Sequence, residues 1–283
     1  MLQQVALLSQ TASVPLNEVA KVSAAIQKQV SRDFGPIWSI NATVDAFATL
    51  NDVPAGYWPV VVRSDVAAKQ HAAGVHLDDT GQPFALVQSS KDWSLTASHE
   101  TLEMLVDPFG GRLVAGPAPK EAKGQKRVEF LVEVCDPSEA SSFAYTVNDV
   151  LVSDFYTPHY LEPITSSAVR YCYGGAIKAP RTILKGGYLS WHNPVNNHWY
   201  QIRWFSGSKP ALADLGVFTA SSMSTREWID GNTQTPRMIE EAKVKVTDQP
   251  LFFSVAPESG AGAASDGRAA MVQAQIDGLV AGG

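Results

Sequence analysis

Residues 93–111 read WSLTASHETLEMLVDPFGG, and this stretch decides how the rest of the chain is read. At about 100° per residue on a helix, His99, Glu103, Asp107 and Glu100 fall in one arc roughly 100° wide. Leu95, Leu102, Leu105 and Val106 form an apolar arc of similar width. The spacing predicts a helix that buries its leucine face on a sheet and turns three carboxylates and an imidazole toward a cleft. It ends at Asp107, because a residue before proline is pushed out of the helical region, and Phe109-Gly110-Gly111 turns the chain away. The arc contains no lysine or arginine for ordinary i,i+4 pairing. Like charges at that spacing cost only a few tenths of a kcal/mol in water. In a cleft they cost more, and a proton or a cation must offset them. A solvated acidic face is the alternative, opposed by the apolar character of the remaining helix.

Outward from this helix the chain mixes element types. Residues 15–31 carry Val19, Val22, Ala25, Ile26 and Val30 at helical spacing. GPIWSINATVDAFATL (35–50) alternates like a strand, YWPVVVRSDV (57–66) is an apolar strand, and AGVHLDDTGQPFALVQ (73–88) reads as two strands around a turn. GGRLVAGPAPKEAKGQKR (110–127) reads as a mobile loop. VEFLVEVCDP (128–137) is a strand ending before Pro137, and AYTVNDVLVSDFY (144–156) is a hairpin turning at Asn148-Asp149. Short aromatic runs follow, including AVRYCYGGAI, RTILKGGYLSW and HWYQIRWF, then the short helical segments MSTREWID and TPRMIEEAKVKV. PESGAGAASDG (257–267) is a flexible linker before a weak terminal helix. The fold class is therefore α+β. A mixed sheet with its helix spans residues 1–165, a β-rich aromatic region packs on it over 166–256, and a Gly/Ala-rich tail occupies 257–283. That tail could tether a protein partner.

Composition sets the outer bounds. The chain has 283 residues, 45% of them hydrophobic, a net charge of −6 and a pI near 5.5. That is enough to bury a full core, and the absence of a basic stripe argues against nucleic acid as a partner. No apolar run has the length of a membrane span. The N-terminus MLQQVALLSQTASV lacks the basic start and long apolar core of a secretory signal. Two cysteines make no disulfide framework. The expectation is a cytoplasmic product, with export by a route that needs no signal peptide left open.

SHETLEMLVDP (98–108) followed by VEVCDP (132–137) resembles the H-E-x-x-E-x-x-x-D-P helix and downstream E-x-x-D of zincin-like proteins, and is distantly similar to the phosphate-induced, EXORDIUM-type group. The likeness lies within about residues 70–140. It implies a zincin-like mixed sheet whose last strands precede an active-site helix. It also implies metal ligation by His99 and Glu103, with Glu100 as general base for a metal-bound water. The third ligand implied is Asp136, with Glu133 and then Asp107 as alternatives. Asp107 lies eight residues beyond His99, about 12 Å along the helix axis, and suits a cap or a supporting hydrogen bond better. Strand alternation puts Glu133 and Asp136 on opposite faces, so only one of them is expected to reach the metal. Glu103 departs from the second histidine of H-E-x-x-H zinc proteases. That makes the site harder and more anionic, so calcium or manganese competes with zinc.

The function implied is a metal-dependent hydrolase, a zincin-like peptidase acting on a peptide or protein. The alternative is a non-catalytic scaffold of the same type that serves binding or assembly. His76, Tyr156 and His159 are candidate cleft residues, each with a structural alternative in turn or aromatic packing, and Asp78 shares the position of His76. Tyr160 beside His159 has the same two readings. Trp191, Trp199, Trp204, Tyr188 and Tyr200 either stack on a sugar or peptide ligand or fill a core. His192 and His198 flank a turn and could pair. Cys135 reads as core.

Overall fold

In the central strands the apolar residues run continuously rather than alternating. Val5–Leu8 and Val60–Val62 have no exposure at all, which is what a strand covered on both faces requires. These segments are β1 (Leu2–Ser9) and β3 (Tyr57–Arg63) of a five-stranded sheet. A computed structural model describes residues 2–66, 73–79, 81–162, 169–219, 223–233, 235 and 262–281. Its first sheet has the order β2-β1-β3-β5-β4, where β2 is Asn41–Ala46, β4 Gly74–Asp79 and β5 Gln82–Gln88. β1, β2, β3 and β5 are parallel, and β4 turns back antiparallel at the edge.

One face of this sheet is covered by α1 (Leu16–Lys28) and α3 (Trp93–Val106). Val5, Leu7, Val60, Val62, Ala85 and Val87 pack there with Val19, Val22, Ile26, Leu102 and Leu105. The other face carries Ala6, Leu8, Val61, Val75, Phe84 and Leu86, and α5 (Gly262–Ala281) lays Ala269, Val272 and Ile276 on it. The terminal helix is thus part of the core. The expected linker is shorter than its composition suggested, since residues 262–267 already belong to this helix; residues 257–261, and TPRMIEEAKVKV after Thr235, lie outside the described residues.

A second sheet is wholly antiparallel, in the order β12-β11-β10-β7-β6. β6 is Leu113–Pro117, β7 Arg127–Leu131, β10 Tyr188–Asn193, β11 His198–Arg203 and β12 Ala211–Gly216. The segment expected as a loop therefore supplies β6, paired from Leu113–Leu131 to Pro117–Arg127. The expected division at residue 165 runs through this sheet, since β6 and β7 precede it while β10 to β12 follow it. Trp191, Trp199 and Tyr188 are buried and Tyr200 and Trp204 partly so, which places the aromatic cluster in the core. A two-stranded hairpin, β8 (Tyr145–Val147) and β9 (Val150–Val152), turns at Asn148 and Asp149 with φ of 50° and 59°, as a type I′ turn demands.

Three local expectations changed. The N-terminal stretch, read only for a signal, forms β1 (Leu2–Ser9), an interior strand of the first sheet. Residues 29–34 continue α1 as a π-helical turn into α2 (Gly35–Trp38), so the strand expected from residue 35 starts at Asn41. VEFLVEVCDP leaves the sheet at Leu131 and passes through an irregular segment into a tight 3-10 turn at Asp136–Ser138. Among the described residues no helix is long and apolar enough to cross a membrane.

Candidate metal centre

α3 lies between the first sheet, the β8–β9 hairpin and the turn after β7, and every residue from Leu95 to Val106 is buried. Its polar residues are therefore held by specific partners. The Ser98 hydroxyl donates to Gln29 Oε1 (2.8 Å) and accepts from the Ser153 amide (3.0 Å), tying the helix to the π turn and to the residue after β9. At the C-terminus Asp107 leaves helical geometry as expected. Its carboxylate accepts from the Arg112 amide at 2.7 Å, so it fastens the following turn and does not join the metal-ligand groupings.

His99, Glu100 and Glu103 meet Glu133, Asp136 and His76 in one buried cluster. Glu103 is central. One carboxylate oxygen, Oε1, accepts from the Cys135 amide at 3.0 Å. The other, Oε2, lies 3.2 Å from His99 Nε2, 3.1 Å from Arg226 Nη2 and 4.0 Å from His76 Nδ1. His99 Nε2 is also 3.2 Å from Asp136 Oδ1. His76, on β4, donates from Nε2 to the Asp107 carbonyl (3.1 Å) and turns Nδ1 toward Glu100 Oε2 at 3.6 Å. β4 comes this close to α3 because residue 74 is glycine. A Cβ there would meet Glu100 Oε1 and Thr96 Cγ2 at 2.5 Å.

Glu133 and Asp136 both enter the cluster, against the expectation that alternation would separate them. The reason is that β7 has already ended at Leu131, so the two-residue period no longer applies. Glycine again permits the approach, since a Cβ at Gly187 would lie 2.5–2.6 Å from the Pro137 and Asp136 carbonyl oxygens.

Arg226, on α4 (Thr225–Gly231), was not foreseen. Its guanidinium is 2% exposed and contacts Glu103, Glu133, Asp136 (3.2 Å) and Asp230 (2.9 Å). α4 is capped where the Glu227 amide donates to Ser224 Oγ (3.1 Å) and anchored where the Arg226 amide donates to the Gly110 carbonyl (3.1 Å). In sequence, Arg226 and Asp230 look like an ordinary surface i,i+4 pair. Nothing nearby marks them as facing residues 90 or more positions earlier.

Arg226 does not balance the cluster. Burial pushes Glu133 well above the usual carboxylate range, with Glu103 and Asp136 adding to the push against Arg226. Burial and Glu103 also raise Asp136, and burial pushes Asp230 up to about 7. Burial disfavours the charged form of His99, but Glu103 and Asp136 outweigh it and hold the imidazole well above its ordinary value. Glu103 goes the other way. Burial raises it, but His99 and Arg226 dominate and keep it ionised. Several buried acceptors make no well-formed hydrogen bond: Glu103 Oε2, Glu100 Oε2, Asp136 Oδ1, both Glu133 oxygens and His76 Nδ1, although Arg226 and His99 lie against Glu103, Glu133 and Asp136 as charge partners. Buried acceptors facing one another without well-formed hydrogen bonds are the signature of a place for a cation. His99 lies 3.2 Å from both Glu103 and Asp136, the roughly 3–3.5 Å expected between atoms about 2.1 Å from one ion; the groupings that fit a divalent ion divide these residues, as His99–Glu103–Cys135, His99–Asp136–Glu139, Glu103–Glu133–Asp136 and His76–Glu100–Glu103.

The other candidates lie where they cannot join. Tyr156 is fully buried beside the cluster. Burial raises its pKa well above the ordinary tyrosine value, followed by Tyr160 and Glu133, and its hydroxyl has no hydrogen-bond partner. Tyr160 stacks on it with centroids 4.4 Å apart, which settles its packing role. His159 is instead at the surface, paired to Glu162 at 2.9 Å, because it sits on the outer side of a 3-10 turn (Pro158–Leu161). His192 and His198 do not pair with each other, and each takes a carboxylate, Glu129 and Asp214 respectively. Cys135 and Cys172 are buried free thiols. The Asp78 side chain lies outside the described residues. A small pocket opens beside His99 and Glu100, bordered by Ala73, Gly74, Thr96, Tyr188 and Arg226.

The chain matches no protein-family model, no curated protein and no solved structure.

Proposed function

We propose that the protein binds a divalent cation at His99, Glu103 and Asp136 and uses it to hydrolyse a peptide or protein, as the zincin-like resemblance implies. The observation that carries this is the convergence of buried carboxylates and imidazoles around Glu103, several of whose atoms make no well-formed hydrogen bond, next to a pocket bordered by Glu100. The ion, zinc with manganese or calcium as competitors, would supply Lewis acidity to polarise a carbonyl and acidify a water. Glu100 would be the proton acceptor. It is free of Arg226, and its Oε1 lies at the Gly74 side of the pocket. β4 is the edge of its sheet among the described strands, so an extended peptide could add along it by main-chain hydrogen bonds. Glu133 would hold Arg226 and so orient the Asp136 turn.

A second reading has its own support. Arg226 already sits against Glu103, Glu133 and Asp136, so the guanidinium could stand where an enzyme of this type holds its ion, leaving a non-catalytic scaffold. One experiment separates the two. Chelator-stripped protein is titrated with zinc, manganese and calcium, then assayed on a broad peptide library beside His99→Ala and Glu100→Gln. The enzyme reading expects at least one tightly bound ion, lost in His99→Ala. It also expects Glu100→Gln to keep the ion held by His99 while hydrolysis falls about 100-fold or more. No ion on any titration, or equal cleavage by Glu100→Gln and wild type, would hand the assignment to the scaffold.

A further inference from the structure

The centre has two imidazoles, and they do not converge on one point. Among the described residues, four triads of ligand atoms lie close enough to share an ion. Three of them contain Glu103, namely His99–Glu103–Cys135, His76–Glu100–Glu103 and Glu103–Glu133–Asp136, and none contains both His76 and His99. Glu103 Oε2 is the atom that both imidazoles approach.

His76 supplies the independent observation. Its side chain has no exposure and its Nδ1 has no hydrogen-bond partner. Nε2 is committed as a donor to the Asp107 carbonyl, and that bond fixes the tautomer of a neutral ring. In that tautomer Nδ1 presents a lone pair to two carboxylate oxygens, themselves acceptors, at 3.6 and 4.0 Å, an arrangement that only a cation or a proton between them can hold. Two atoms bound to one ion at about 2.1 Å can be no more than about 4.2 Å apart, and both separations satisfy that. A carbonyl holding the distal nitrogen of a metal-ligating histidine is also the usual way such a ligand is oriented. Arg226 does not reach Glu100 or His76; its contacts are Glu103, Glu133, Asp136 and Asp230.

We infer that His76 Nδ1, Glu100 Oε2 and Glu103 Oε2 form a second divalent-cation site, with Glu103 as a carboxylate bridge to the ion held by His99 and Asp136. The inference rests on the proposed cation centre and changes it from a one-ion to a two-ion site. Glu100 gives Oε2 to the second ion and keeps Oε1 toward the pocket, so its role as proton acceptor stands.

Manganese titration of the chelator-stripped full-length protein, followed by electron paramagnetic resonance, tests this without an activity assay. Two ions per chain with an exchange-coupled spectrum are expected in wild type. His76→Ala should retain one ion with an uncoupled spectrum. One ion in wild type, unchanged by His76→Ala, would mean that a proton holds His76 to Glu100; it overturns the second site and leaves the first. No ion overturns both. Two uncoupled ions overturn the bridge through Glu103. If His76→Ala does not fold, wild-type stoichiometry and coupling still decide.

Discussion

Arg226 carries one positive charge into a cavity with four carboxylates around it. Removing one partner from a buried ion-pair network leaves uncompensated charge and costs about 3–5 kcal/mol. Arg226→Met should therefore destabilise the metal-free protein by that order in chemical denaturation. The same substitution frees Glu103, Glu133 and Asp136 for a cation, so it should tighten manganese or zinc binding by at least tenfold, and the bound ion should restore much of the lost stability. Destabilisation with no gain in metal affinity would make Arg226 the permanent counter-ion of a scaffold. His99 and Glu103 were expected to meet from their helical spacing and Asp136 from the resemblance, and all three lie in one buried cluster. Arg226 was not, because its role depends on which buried acids it meets, and an Arg-x-x-x-Asp pair on a short helix says nothing about that.

At the scale of elements, the centre depends on how closely β4 and the turn after β7 approach α3. Gly74 sets the first distance. An added Cβ would have to move Thr96 and Glu100, both packed and buried. Gly74→Ala should cost about 1–3 kcal/mol by overpacking and weaken binding at the His76 side more than at the His99 side. A variant with wild-type stability and unchanged manganese stoichiometry would show that β4 can shift without disturbing the cluster. The helix itself was readable from its arcs and its Asp-Pro stop. The strand after it was not readable to its end. Periodicity ran on to Pro137 on paper, yet pairing stops at Leu131, where β7 loses its partners and a turn begins.

Across the molecule, the cluster makes stability depend on pH in a definite direction. Glu133, Asp136 and Asp230 have folded pKa values above those of the unfolded chain. The folded state thus binds more protons, and stability falls as pH rises. His99 acts in the same sense. Its contribution is full below about pH 6.5, the unfolded value, and is lost as pH climbs through the higher folded value. Glu103 acts oppositely, but only as pH falls below the ordinary carboxylate range. Asp230 alone, held near 7 against an ordinary 3.8, corresponds to on the order of 4 kcal/mol once fully ionised. The metal-free protein should therefore lose thermal stability between about pH 5 and about pH 8. A divalent ion, which competes with those protons, should flatten or reverse the slope. A Tm that rises with pH in chelator would contradict the protonation pattern.

By itself the sequence determined the α+β class, the α1 and α3 helices, the strand pair β4–β5, the β8–β9 hairpin and the acidic helix arc, because each is written in local periodicity and turn chemistry. Only the tertiary structure decided that the N-terminal stretch is an interior strand, that β6 and β7 share a sheet with β10 to β12, and that the last helix closes the far face of the first sheet. It alone decided that His76 and Arg226 meet on Glu103. Those outcomes depend on burial and on pairing between distant segments. The free energy of a charged or apolar side chain is set by the neighbours it finds in space, which neighbouring residues in the chain do not record.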